Sequence, residues 1–208
     1  MGTPYAEQYE HEDKTRAAHR DKRRRSLVLA AYQLIAEKGF EQLRTRDVAI
    51  RANVNISTLH YYFASKEYLI RGVVDHLLDM FSSSSTSEQE IDNTDPLQQI
   101  RAMFLMTHHR FQTQPEMFIV LSELVLRSLR DPSLQPALQR LDMGWHTYLQ
   151  YIITDGIQRK VFRANIDAGQ MATKLIIQIK GFFFHQITQP EAIDFHSILT
   201  DVEQLLLP

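Results

Sequence analysis

The sequence predicts an all-α protein, with a small N-terminal domain of three helices followed by a larger helical bundle. Three observations carry this. On either side of a polar stretch at 82–95, apolar residues recur at helical spacing and no segment alternates with period two. Pro96, Pro115 and Pro132 cut the second half into lengths typical of helices. Between 45 and 63, two short helical patterns are separated only by Asn53, Val54 and Asn55.

The 208 residues can hold one small and one medium domain, and with 44% apolar residues they can bury a core. No apolar run reaches the roughly eighteen residues of a membrane span, and the polar, charged N-terminus is no secretory signal. There is no cysteine, so disulfides, thiol catalysis and cysteine–zinc sites are ruled out. We expect a cytoplasmic protein. The net charge of −2 hides an asymmetry, because residues 14–81 carry thirteen bases against seven acids while 82–208 carry ten against fourteen. A basic block confined to the N-terminal third suits phosphate binding; the acidic remainder does not.

Residues 1–22 read as a flexible or partly helical arm ending in Lys22-Arg23-Arg24-Arg25, which either meets DNA or merely solubilises the chain. The first helix is expected over 24–38, with Leu27, Ala31, Leu34 and Ile35 as its apolar stripe. Gly39 stops it, and Phe40 folds back on its end. A second helix at 45–52 buries Val48 and Ala49. Asn tolerates the left-handed backbone of a tight turn, and Asn55 is a good N-cap for a third helix at 56–63, which buries Leu59 and Phe63. This is a helix-turn-helix, and residues 23–81 form its domain together with a connecting helix at 66–81.

In such a motif the second short helix enters the major groove. Ser57, Thr58 and Tyr61 are expected to face bases, and Ile56 to touch thymine methyl groups. His60, Tyr62 and Lys66 are expected to hold phosphates, although Tyr62 suits core packing equally well. Arg44 and Thr45 open the second helix, where the positive dipole end favours a phosphate, and Arg46 reaches either a phosphate or a guanine edge. Ser65 caps the connecting helix, which acts as a lever by its position.

Over Ala36 to Phe40, the stretch at 43–66 and Phe63 to Leu69, the chain resembles the tetracycline-repressor (TetR) family of bacterial transcriptional regulators. Where that family usually has Tyr this chain has His60, and where it frequently has Lys this chain has Ile56, so the resemblance leaves the operator sequence open.

Residues 82–95 read as a polar linker, and 96–208 as a ligand-binding and dimerisation domain. Helices are expected at 96–112, 115–130, 133–160, 167–189 and 191–207. The fourth is apolar on more than one face, so it is buried by its own domain or by a second subunit. With the terminal stripe of Ile198 or Leu199, Val202, and Leu205 or Leu206, it suggests a two-fold interface built from Ile179, Gly181, Phe183, Ile198, Val202 and Leu205. The resemblance implies the same homodimer. It also implies a small-molecule pocket among the middle helices, for which Phe104, His108, Trp145, Tyr148 and His185 are the candidates; core packing is the competing reading of each.

No phosphate loop, dinucleotide turn, nucleophile elbow or His-Glu-x-x-His is present, so we expect no enzyme, no cofactor and no metal. The expected function is a homodimeric, sequence-specific regulator that binds a palindromic double-stranded operator. It is read as a repressor relieved by a small, largely apolar or aromatic effector. The alternative is a DNA-packaging or protein-contact module without an effector.

Overall fold

The computed structural model describes residues 4–82, 95–189 and 194–208, with side chains from residue 17 onward except that of Ser82. Among these residues the regular elements are α-helices and two 3-10 turns. The helices are α1 (Pro4–Lys38), α2 (Thr45–Arg51), α3 (Ile56–Tyr62), α4 (Lys66–Ser82), α5 (Pro96–Thr113), α6 (Pro115–Ser128), α7 (Gln135–Gln158), α8 (Ala168–Thr188) and α9 (Phe195–Leu206). No helix among them is long and apolar enough to cross a membrane.

The chain divides into two compact units, 1–80 with 119–134, and 81–118 with 135–208. The assignment of 119–134 differs from the expected single block at 96–208. Within the first unit, Glu123 accepts a hydrogen bond from the Phe40 N–H at 3.2 Å, and the Arg127 guanidinium lies 5.1 Å from the centre of the Phe40 ring. Most of the expected linker, 83–94, and the expected start of the last helix at 191 lie outside the described residues.

In the first unit, Leu27, Ala31, Leu34 and Ile35 are buried as their spacing requires. Gly39 closes α1 with φ +80, a backbone that costs glycine little, and its N–H bonds the Ile35 carbonyl at 2.9 Å. At the other end the stretch expected as a flexible or partly helical arm is helical from Pro4, where α1 begins. That stretch has no apolar stripe to betray it, but its Ala, Glu, Gln, Lys and Arg are strong helix formers. Leu69, Val73 and Leu77 of α4 are buried, together with Ile70 and Val74.

In the second unit α7 lies along α8, and α5 packs on α7 and α9. Helix α7 starts two residues later than its pattern suggests. Asp131 Oδ1 accepts from both the N–H (3.2 Å) and the hydroxyl (2.7 Å) of Ser133, which holds Pro132–Leu134 in a 3-10 turn first. Past the end of the helix at Gln158, Lys160 lies in the left-handed region at φ 61, and the next two N–H groups, of Val161 and Phe162, both bond the Gly156 carbonyl. Helices α8 and α9 are capped by Asp167 and Asp194, which accept from the N–H groups of Gln170 and His196.

Three residues expected at a subunit interface are instead core. Ile179, Phe183 and Val202 are buried within their own unit, Phe183 stacked on Phe111 at 4.8 Å. Gly181 and Leu205 are exposed and Ile198 is half-buried. Helix α8 is apolar nearly all round, so spacing alone cannot tell which apolar face turns inward.

Candidate nucleic-acid interface

The turn between α2 and α3 is built from three backbone choices. Ala52 ends α2 with its N–H on the Val48 carbonyl, Asn53 takes φ 52, and the Val54 N–H returns to the Ala49 carbonyl at 2.9 Å. A β-branched residue at position 53 would be strained there, whereas Asn is tolerated. Asn55 then caps α3 in extended backbone. Its Oδ1 accepts from the Thr58 N–H and from the Thr58 hydroxyl, both at 2.7 Å. Leu59 and the C-cap residue Phe63 are buried, one turn apart, and burial of this size stabilises by roughly 1.5–3 kcal/mol per side chain. With one side of α3 thus fixed, Ser57, His60 and Tyr61 lie on solvent-exposed positions, Tyr61 at 73% exposure.

Ile56 is partly exposed at the start of α3, and Tyr62 is half-buried with its ring edge-on to Tyr61, centroids 5.2 Å apart. Thr58 is half-buried, and its hydroxyl proton is committed to Asn55, which leaves the oxygen lone pairs able to accept. Arg44 occupies the N-cap position of α2 and Arg46 is exposed in its first turn, while Thr45 is half-buried. Ile50 was not singled out by sequence, yet it lies one turn beyond Arg46 on α2 and is 70% exposed. Following the buried Val48 and Ala49, a third apolar residue gives no local sign that it faces outward.

The Lys66 ammonium is drawn away from the open surface. It lies 4.9 Å from the centre of the Phe40 ring, which also carries the Arg127 guanidinium. Burial lowers the Lys66 pKa, Glu41 opposes that, and Arg127 and Arg44 add to it. Arg127 also pairs with Glu41 at 3.5 Å. Glu123 and Arg127 stand more than eighty residues from Phe40 in the chain, so no sequence pattern near the motif reveals them. Two more basic groups are engaged locally. Arg51 makes paired hydrogen bonds to Glu37, one of 2.7 Å, and Arg24 lies over the Phe63 ring at 5.3 Å.

The residues expected to line a pocket have different surroundings. Phe104 is fully buried. His108 is stacked on Phe195 with centroids 3.9 Å apart, its edge toward Phe182, and burial lowers its pKa. Trp145 meets Phe81 edge-on at 5.5 Å, and Phe81 meets Phe118 in a cluster that continues to Phe111 and Phe183. Tyr148 instead lies on an open face of α7 with Arg140, Met143, Gly144, Thr147 and Tyr151. His185 is half-buried near the end of α8, its carbonyl accepting from the Gln189 N–H and the Thr188 hydroxyl.

Known proteins match both halves of the chain. The family profile described as "Bacterial regulatory proteins, tetR family" covers residues 27–73, and "BetI-type transcriptional repressor, C-terminal" covers 96–207. The HTH-type transcriptional repressor NicS of Pseudomonas putida is 26% identical over 151 residues, spanning 73% of this chain and 71% of that protein. The fatty acid metabolism regulator protein of Bacillus subtilis is 23% identical over 150 residues, spanning 72% of this chain and 75% of that protein. A TetR transcription regulator from Haloarcula marismortui shares the fold with a TM-score of 0.79 at 19% identity, over 90% of this chain and all (100%) of that one. A transcriptional regulator from Saccharomonospora viridis, in complex with choline, gives 0.75 at 19% identity, over 90% of this chain and 99% of that one. Through the helix-turn-helix at its start and the repressor-type bundle that follows, the chain belongs to the tetR family of bacterial regulatory proteins, the DNA-binding regulators of transcription.

Proposed function

We propose that the protein is a homodimeric repressor that reads a palindromic operator through α3 and is released from it by a small, largely apolar or aromatic effector. The observation that carries the reading half is the division of α3. Leu59 and Phe63 anchor it from beneath, Asn55 fixes its start, and Ser57 and Tyr61 are left outward to meet base edges, with His60 exposed beside them for a phosphate. Arg44, Thr45, Arg46 and Tyr62 flank that face as phosphate contacts. Lys66 contributes charge from its seat on Phe40.

A two-fold partner is needed to read two half-sites. In place of the buried Ile179, Phe183 and Val202, the surface supporting a second copy is the outer side of α7 and α8. Met143 and Tyr151 on α7, and Ile177 and Phe184 on α8, are exposed apolar side chains on helices that pack together. Gly144 and Gly181 have open space where a side chain would stand, which permits close approach.

Release is supported by how the chain is divided. Helices α4 and α6 each contribute residues to both units. A shift of either helix in the second unit is therefore carried covalently into the first, and an effector that prefers the shifted state lowers operator affinity by its differential affinity. The aromatic cluster around Phe118 and Trp145 offers ring faces and edges to an apolar or cationic guest. Choline, found with one structural relative, is a sensible first ligand to try.

Anisotropy titration of DNA from upstream of the protein's own gene, with and without ligands, tests this reading. Ser57→Ala with Tyr61→Ala should abolish discrimination between that DNA and a random duplex. Retained discrimination would refute the role of α3, and a steep salt slope without any discrimination in the unaltered protein would favour a packaging module.

A further inference from the structure

Helix α1 does not stop where the three-helix domain has used it. From Leu27 onward one side of it is buried in the first unit, through Leu27, Val28, Ala31, Leu34 and Ile35, but the helix continues N-terminally, and residues 17–25 are all exposed. Five of these nine are Arg or Lys and one is acidic. Three contacts set the direction of this extension. Arg24 lies over the Phe63 ring, Val28 meets the Gly72 backbone, where an added Cβ would stand 2.9 Å from its Cγ2, and Tyr32 meets His76 edge-on at 5.4 Å. Rising numbers on α1 meet rising numbers at the end of α3 and along α4, so the two helices run the same way. The stretch before Arg24 therefore passes beyond the C-terminal end of α3, and residues 17–23 carry it about 10 Å further.

At 100° per residue, Arg20, Arg23 and Arg24 fall on the side of α1 that Leu27 buries, whereas Lys22 and Arg25 fall on the opposite side. Arg24 is already engaged with Phe63. Arg20 and Arg23 continue its side past the end of the reading helix, with no core left beneath them. A helix lying in the major groove has its ends beside the phosphate backbone. We infer that the α1 extension is a second, sequence-independent DNA contact, in which Arg20 and Arg23 hold phosphates flanking the half-site read by α3.

This inference rests on the DNA-binding reading above, and the experiment separates the two. Arg20→Gln with Arg23→Gln is compared with Lys22→Gln plus Arg25→Gln, which removes the same charge from the far side. Binding to the upstream duplex and to a random-sequence duplex is followed by anisotropy from low to moderate salt, and circular dichroism checks that helix content is kept. The first pair should weaken both duplexes alike, about tenfold, and make the salt slope shallower by about 2 per chain; the second pair should change affinity less than about twofold. Equal effects of the two pairs would mean general electrostatics and overturn the inference, as would an unchanged slope for the first pair. If the unaltered protein bound neither duplex, the DNA-binding reading itself would fall.

Discussion

Thr58 gives both its N–H and its hydroxyl to a single oxygen of Asn55, each at 2.7 Å. One carboxamide thus fixes the start of the reading helix and the rotamer of a residue on it. Asn55→Ala should cost about 1 kcal/mol of stability, measured by chemical unfolding, and should weaken operator binding more than that because Thr58 is released. Asn55→Asp keeps the acceptor and should restore most of the stability. If the alanine variant unfolds like the original, the cap is not what holds α3.

Gly156 is required by close packing. A Cβ there would stand 2.1 and 2.3 Å from ring carbons of Phe162, itself buried just after the turn that ends α7. Gly156→Ala should lower stability by about 1–3 kcal/mol, and by less when Phe162→Leu accompanies it. Strictly additive losses in thermal melts would show that the two positions do not share that space.

The outer side of α8 gives a clean contrast. Phe184→Asp, at an exposed position, should leave the monomer folded but yield monomers in sedimentation and weaken operator binding. Phe183→Asp, one residue earlier and buried among Phe111, Phe118 and Phe182, should unfold the second unit. A Phe184→Asp protein that stayed dimeric would move the interface elsewhere.

Acid should loosen the fold through two histidines. Burial lowers the pKa of His76, against a smaller opposing effect of Asp79, and burial also lowers that of His108, with His196 adding to it. The unfolded chain then binds protons more readily than the folded one. Their contribution is fully present above the ordinary value of 6.5 and is lost as pH falls through the lower folded values. Denaturation midpoints followed from pH 7.5 to about 5 should fall, and His76→Gln with His108→Gln should flatten the decline. Midpoints equally steep in the double variant would remove these two side chains from the account.

The helix-turn-helix was legible in sequence because its signals are local. A left-handed Asn53, a capping Asn55 and the pair Leu59 and Phe63 all act within a dozen residues. The inward side of α8 was not, because Ile177, Ile179, Phe183 and Phe184 are equally apolar and only packing against α5, α6 and α7 decides between them. Nor was the dispersal of His108, Trp145 and Tyr148, since aromatic content fixes no shared direction. The helical run before Arg20 carries no apolar period at all. Glu123 and Arg127 reach Phe40 through tertiary structure alone.

The C-terminal end of the chain is stitched into the fold rather than trailing from it. Arg163 donates its N–H to the Leu206 carbonyl at 3.0 Å, its guanidinium bonds the Gln204 and Leu205 carbonyls, and Leu206 is fully buried. Deletion mapping from this end would therefore mislead. Trimming the last three residues removes a structural plug, Leu206, and one anchor point, its carbonyl, so a regulatory defect of such a truncation reports damage to the second unit and not a missing contact with DNA or effector. Purification handles belong at the opposite terminus, on a cleavable spacer.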